Sequence, residues 1–371
     1  MFKKPLLLPL ILFVFISCKS SHYVPVSDDQ LKSKLKKHIS TLASDDFEGR
    51  ETGTPGEKKG YEYITREFKN ARLKARGEKG FLQEFSFVAG AEYGTSTQLI
   101  VNSNIYTPGV DFYPLPYSSN AVYTGYIARV GYGISDPTNK REDYKGKVNL
   151  AKKIFVIECG TPDGNDPHGK FGDWTDLRKK IDEAIVRGAA AVIFINSDTS
   201  LSDPAPDWKN RITPSSIPVI FAKTNAARVL RDSVVTNCTI GTEIIRIEKK
   251  GYNVIGFIDN KARKTVVIGA HYDHLGYGDD GSLYRGPRAI HNGADDNASG
   301  TAALIELAGF VKGNSLKKSN YLFIAFSGEE KGLLGSNYFV KHPTIDLKQV
   351  NYMINMDMLG RLKPDEKTLI I

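Results

Sequence analysis

Apolar and polar positions follow three different rhythms along the chain. Near the beginning, Leu31, Leu35, Ile39 and Leu42 recur at helical spacing and predict a helix over residues 28–43. The lysines between them form its solvated side. Residues 46–56 are rich in turn formers, and Tyr61, Ile64, Phe68 and Leu73 then mark one side of a second helix over 57–73. From 118 to 247 the texture changes to strand-like runs, such as 121–130, 153–158, 189–195 and 216–222. They surround one clear helix over 176–187, capped by Gly188. After residue 252 strands and helices alternate: 254–258, 265–269, 321–326 and 352–357 are apolar runs suited to central strands. Helical patterns at 302–311 and 333–340 lie between them, so this part reads as α/β.

A chain of 371 residues suits one large domain or two ordinary ones, and the change of texture favours two. The first residues stand apart from both. Lys3 and Lys4 precede the apolar residues 6–16, which end at Ser17 and Cys18; this reads as an export signal too short to span a bilayer comfortably. The ending Phe15-Ile16-Ser17-Cys18 resembles a bacterial lipoprotein processing site, with Cys18 the lipid-bearing first residue. The alternative is a plain secretory signal with an incidental cysteine. Cleavage before Cys18 would remove Lys3 and Lys4, taking the formal charge from +8 to 8 − 2 = +6. The remaining basic residues are scattered. Without a basic stripe or zinc-finger spacing, nucleic acid is not an expected partner. Cys159 and Cys238 are too few for a disulfide framework; Cys159 reads as a core residue, and one bond between the two stays open.

Candidate chemistry collects at the ends of the later strands, where ligands gather in open α/β sheets. His271-Tyr272-Asp273-His274 follows the strand that begins at 265. Residues two apart in an extended segment point the same way, which puts Asp273 behind the His271 ring and turns His274 elsewhere. Residues 293–300 (Gly-Ala-Asp-Asp-Asn-Ala-Ser-Gly) precede a helix; acids there would cap it, but capping does not explain the acids at two further strand ends. Glu329 and Glu330 follow the run ending at Phe326, and two adjacent carboxylates can divide ligand and base roles. Asp357 interrupts a buried-looking strand, where a cation is the natural compensation. The middle segment groups no histidines with acids, so its expected contribution is shape, as a lid or access wall.

His271-Tyr272-Asp273-His274, residues 293–300, 327–332 and 355–357 together resemble the zinc-dependent aminopeptidases of the M28 peptidase family. Arg50-Glu51-Thr52-Gly53-Thr54-Pro55-Gly56 looks like the segment before the second helix of its bacterial members. Tyr144-Lys145-Gly146-Lys147 and residues 188–196 are similar to the protease-associated domain inserted in many of them. The resemblance implies a zinc exopeptidase-like α/β fold, a mixed central sheet with helices on both faces, plus that inserted α/β domain. It divides the chain into a signal peptide (1–17), an N-terminal part (18–117), the insert (118–247) and a metal-binding part (248–371). It implies two Zn²⁺ ions: His271 and Asp357 on one, Asp296 bridging, Glu330 on the second, Glu329 as general base and Asp273 orienting His271. The implied reaction is hydrolysis of amino-terminal residues from peptides with free N-termini, by water shared between the zincs. The implied setting is the bacterial cell envelope, lipid-anchored through Cys18 to the membrane, the outer membrane facing periplasm or surface.

The sequence also departs from that pattern. In the family the second zinc takes a histidine well downstream, yet only 371 − 357 = 14 residues follow Asp357, and none is a histidine. His342, at a predicted helix end, is a poor substitute, and Thr368-Leu369-Ile370-Ile371 reads as a strand cut short. The expectation is a peptidase domain incomplete at its C-terminus, inactive unless extended, with an open sheet edge. Two alternatives stand beside it: a one-zinc enzyme like the related glutaminyl cyclases, and an inactive exported binding protein with a degenerate peptidase fold. Side-chain preference would come from loops such as 277–291, where Tyr277 and Tyr284 are candidate pocket walls or plain loop tyrosines.

Overall fold

A computed structural model describes residues 27–361 apart from 207, 209–211, 233, 280 and 315. The expected export signal, Cys18 and the closing run 368–371 lie outside the described residues. The chain divides into two units, one up to Glu84 and again from Tyr252, the other Phe85–Gly251. No helix among the described residues is long and apolar enough to cross a membrane.

In the first unit, helix α1 (Asp28–Leu42) starts from a capping box in which Ser27 and Gln30 bond each other's main-chain amides. It buries His38 and Leu42, while Leu31 at the other end of the predicted stripe is exposed. Thr54 caps α2 (Pro55–Asn70), with Pro55 at its first position. That helix ends earlier than the spacing predicts. Leu73 is buried, but beyond the Ala71 cap.

Six strands build the sheet: β1 (Lys74–Ala75), β2 (Leu82–Tyr93), β3 (Ile244–Ile258), β4 (Thr265–His271), β5 (Asn320–Phe326) and β6 (Val350–Asn355). Their order is β1-β3-β5-β4-β6, with β2 also paired to β3. β3 runs antiparallel to β1 and β5, whereas β4 is parallel to both β5 and β6, which makes the sheet mixed. Side chains alternate between its faces. Val266, Ile268 and Ala270 of β4 pack with Leu42, Ile64, Phe68 and, from α3 (Gly300–Gly313), Leu304, Ile305 and Ala308. Val267 packs on the opposite face with Leu322, Ile324 and Phe339 of α4 (Leu334–Lys341). The expected α/β architecture with helices on both faces is therefore present.

Register sets up the site. His271 pairs with Phe326 and Gly269 with Asn355, so the three parallel strands β4, β5 and β6 release their chains at one edge of the sheet. β6 differs from its prediction as a buried central strand. Among the described strands it stands at one end of the order, Tyr352 and Ile354 are exposed, and it ends at Asn355, leaving Asp357 beyond the strand rather than inside it. An apolar run records a preference for burial, not the number of neighbours that supply it.

The second unit holds a five-stranded sheet in the order Phe112–Pro114, Val219–Ala222, Ala191–Ile195, Ile154–Glu158, Ile127–Arg129. All but the first run parallel. A four-stranded antiparallel sheet accompanies it, in the order Asn104–Tyr106, Gln98–Val101, Cys238–Thr242, Ala121–Gly125. Cys159 and Cys238 are both buried and free, in the apolar layers on opposite faces of the five-stranded sheet. That separation excludes a bond between them in this fold.

Candidate metal centre

Each strand end delivers one part of the site. His271 closes β4, held by the Thr301 hydroxyl, which donates to the His271 carbonyl at 2.8 Å. Its Nε2 lies 3.2 Å from Asp296 Oδ1 and 3.3 Å from Asp357 Oδ1. On the other side of Asp296, His274 Nδ1 is 2.6 Å from Glu330 Oε1 and 4.0 Å from Asp296 Oδ2. His271, Asp296 and Asp357 form one group and His274, Asp296 and Glu330 a second, the ligand atoms of each within 4.8 Å of one another. Asp296 offers one oxygen to each.

The expected set His271, Asp296, Glu330 and Asp357 is thus brought together, and His274 corrects the reading that turned it away. The two-residue alternation holds only while the chain is extended, and β4 ends at His271. Beyond it the His274 amide bonds to the Arg50 carbonyl, and the side chain swings back toward Glu330. His342 belongs to neither group; its ring stacks on Tyr338 at 4.3 Å.

Around these groups lies a buried frame that the sequence reading largely missed. Asp273 is fully buried, and the nearest acceptor for His271 Nδ1 is its main-chain carbonyl at 3.2 Å, with the carboxylate at 3.6 Å. The carboxylate instead takes the Glu329 and Glu330 amides at 3.2 and 3.4 Å and the Thr52 hydroxyl at 3.0 Å. Thr52 meets the Ser327 hydroxyl, which donates to Glu57 at 2.6 Å. Asn297 donates to the Met356 carbonyl and accepts from the Gly300 and Met358 amides, tying the aspartate turn to the segment that carries Asp357. A Cβ on Gly300 would meet both Asn297 Oδ1 and the Met356 carbonyl at 2.5 Å, so this approach requires glycine.

Electrostatics supply a test of whether the donor set suits cations. Burial works against charge on His271, yet the surrounding Asp273, Asp296 and Asp357 carboxylates outweigh it and lift its pKa to about 11. A bond to His271 holds Asp296 below the usual carboxylate range against its burial. Glu329 is shifted upward, first by burial and then by the surrounding carboxylates, with His271 opposing. A site that forces a proton onto a buried imidazole is short of positive charge. Two imidazoles and three carboxylates fit two zinc ions, each with three protein ligands and an open position. His271, Asp296 and Asp357 would hold one, and His274, Asp296 and Glu330 the other.

Beside the first group opens a cavity of about 230 Å³, lined by His271, Glu329 and Asp357 together with the apolar Phe326, Leu333 and Met353. Tyr277 and Tyr284 do not line it; Tyr277 lies under the Arg288 guanidinium at 4.2 Å and Tyr284 is exposed.

Comparison with known proteins matches residues 253–370 to Peptidase family M28 and residues 113–230 to the PA domain. The chain is 34% identical over 151 residues to a probable leucine aminopeptidase of Arthroderma otae, a stretch covering 38% of each protein. It is 27% identical over 348 residues to the probable lipoprotein aminopeptidase LpqL of Mycobacterium tuberculosis, covering 91% of this chain and 60% of that one. The matches thus span less than two thirds of either relative. Among solved structures, an aminopeptidase from Aneurinibacillus sp. strain AM-1 is similar at 23% identity and a TM-score of 0.49, over 88% of this chain and 70% of that one.

Proposed function

Because the chain carries an M28-family peptidase domain with an inserted PA domain, we propose that it is an exported metallo-aminopeptidase that removes amino-terminal residues from peptides. The observation that carries this reading is Asp296 standing between two histidine-containing groups, with Glu329 beside the first. The same observation favours a two-metal over a one-zinc, cyclase-like enzyme, because the second group has a histidine of its own. Two zinc ions would supply Lewis acidity at the scissile carbonyl and lower the pKa of water toward neutrality.

The chain's own residues do the rest. Glu329, shifted upward by burial, takes a proton from the attacking water and returns it to the leaving amine as the C–N bond breaks. Asp273 holds the Glu329 and Glu330 amides and faces His271, which fixes base and ligand relative to each other. Phe326, Leu333 and Met353 offer an apolar wall to a substrate side chain. On this reading residues 118–247 are the inserted domain and contribute shape. Lys3, Lys4, the apolar residues 6–16 and Cys18 support export and lipid anchoring at the bacterial envelope.

The test is release of free amino acid from a dipeptide panel by zinc-loaded protein, with bound zinc counted. Glu329→Gln should keep both ions and lose roughly 10²–10⁴-fold in kcat. Two bound zincs with no hydrolysis of any dipeptide, or full activity in Glu329→Gln, would defeat the proposal.

A further inference from the structure

Arg50 is completely buried, and nothing in the reaction above uses it. Among the described residues its guanidinium bonds to no carboxylate; its acceptors are main-chain carbonyls from three separate segments. Nε donates to Tyr272 at 2.7 Å, Nη1 to Leu42 at 2.5 Å and Asn292 at 2.8 Å, and Nη2 to Gly293 at 2.9 Å. Tyr272 lies between His271 and Asp273, and Gly293 opens the turn that carries Asp296. One side chain therefore spans the histidine loop and the aspartate turn. Only a planar fork with five donors can do this; a lysine ammonium directs three donors from one point.

The main chain around Arg50 makes the same connection independently. Its carbonyl accepts the His274 amide, the Gly49 carbonyl accepts the Gly276 amide, and the Gly276 carbonyl accepts the His291 amide at 2.7 Å. A Cβ at Gly49 would strike the Gly276 and His291 carbonyls, both at 2.5 Å, so the segment is wedged between the two loops. Gly49 sits at φ 66° and Arg50 at φ 52°, the latter a left-handed conformation that a non-glycine residue adopts only where its surroundings compel it. Burial lowers the Arg50 pKa to about 10, with Asp273, Asp296 and Glu330 opposing, so the group stays charged at neutral pH.

We propose that Arg50 is a positioning residue of the metal centre, clamping the histidine loop against the aspartate turn so that the two cation groups share Asp296 before any cation arrives. The proposal rests on the metal-centre reading above. Without the clamp, cation binding itself must order both loops, and affinity falls by the cost of that ordering.

The experiment uses chelator-treated full-length protein, zinc competition titration and hydrogen exchange. In zinc-free wild type the amides of His274, Gly276 and His291 should already exchange slowly, and zinc should add little protection. Arg50→Lys keeps the charge and loses the fork; with folding verified by circular dichroism, it should bind zinc about 10–100-fold more weakly, the range for loss of a supporting partner. Gly49→Ala should do the same without touching the guanidinium. A merely structural role would lower the melting temperature and leave zinc affinity unchanged, which would overturn the clamp. If the variants do not fold, exchange in wild type decides: rapid exchange at those three amides until zinc is added overturns preorganisation. Wild type that binds no zinc overturns the metal-centre reading and the clamp with it; normal wild-type binding that Arg50→Lys leaves unchanged overturns the clamp alone.

Discussion

His274 Nδ1 stands 2.6 Å from Glu330 Oε1 although 56 residues separate them in the chain. That contact gives the second group its histidine. His274→Ala should therefore lose one zinc of two, and the affinity lost should exceed the roughly 10–100-fold typical of an outer supporting residue. His342→Ala should leave both in place. Zinc counted by elemental analysis on dialysed protein decides; two zincs retained in His274→Ala would remove it from the ligand set.

Asn297 is the corresponding tie on the other side of the site. It is fully buried and makes three hydrogen bonds, to the Met356 carbonyl and the Gly300 and Met358 amides. Leaving such groups unpaired costs about 1–3 kcal/mol each, so Asn297→Ala should destabilise by at least ~2 kcal/mol. It should also loosen Asp357 and weaken the first cation group selectively. Urea unfolding and stepwise zinc titration read the two effects separately, and an unshifted urea midpoint would contradict the account.

Zinc itself should act as a stabiliser. Asp273, Asp296, Glu329, Glu330 and Asp357 converge with Arg50 as a fixed cation among them. A ligand that binds only the folded state adds about 2.7 kcal/mol at a hundred times its Kd. Chelation should lower the melting temperature by several degrees, and zinc should restore it in a concentration-dependent way. A melting curve indifferent to zinc would show that these carboxylates need no cation.

Most of this arrangement can be read from the sequence, and the parts that cannot share a physical cause. Strand positions and the acids near their ends follow from local pattern: apolar runs mark β4, β5 and β6, with His271, Glu330 and Asp357 at or just past their ends and Asp296 in the turn before α3. His274 is lost at the same stage because side-chain direction is predictable only inside regular structure, and the strand ends one turn too soon. The buried framing roles of Arg50, Thr52 and Asn297 are hidden for a related reason, although all three fall in segments that carry the family resemblance. Most of their partners, main-chain carbonyls and amides, the Ser327 hydroxyl and the Asp273 carboxylate, lie tens to hundreds of residues away, and partners so distant leave no compositional trace. The one signal available was an arginine inside a glycine-rich turn segment, where a solvated loop has no need of it. Exposure of β6 likewise depends on neighbours rather than on its own apolar residues.

Glu57 provides a pH test of the frame away from the ligands. It is 1% exposed and accepts from the Ser327 hydroxyl and the Gly53 and Tyr252 amides, while Tyr272 lies 3.2 Å away. Burial raises its pKa to about 7 from an ordinary 4.5, with these bonds opposing and Asp273 adding to the rise. The folded chain therefore holds this proton more tightly than the unfolded chain. Its contribution to stability is complete below the ordinary value, declines above it and is lost as pH rises through about 7. At 1.36 kcal/mol per pKa unit the loss is on the order of 3 kcal/mol. Glu57→Gln cannot ionise and sets an amide against main-chain donors, so it should be weaker at every pH but should lack this part of the decline. Melting temperatures of chelator-treated wild type and variant between pH 5 and 9 isolate the difference. Parallel curves would mean that Glu57 is ionised throughout and that the frame around Asp273 is held by its hydroxyls and amides alone.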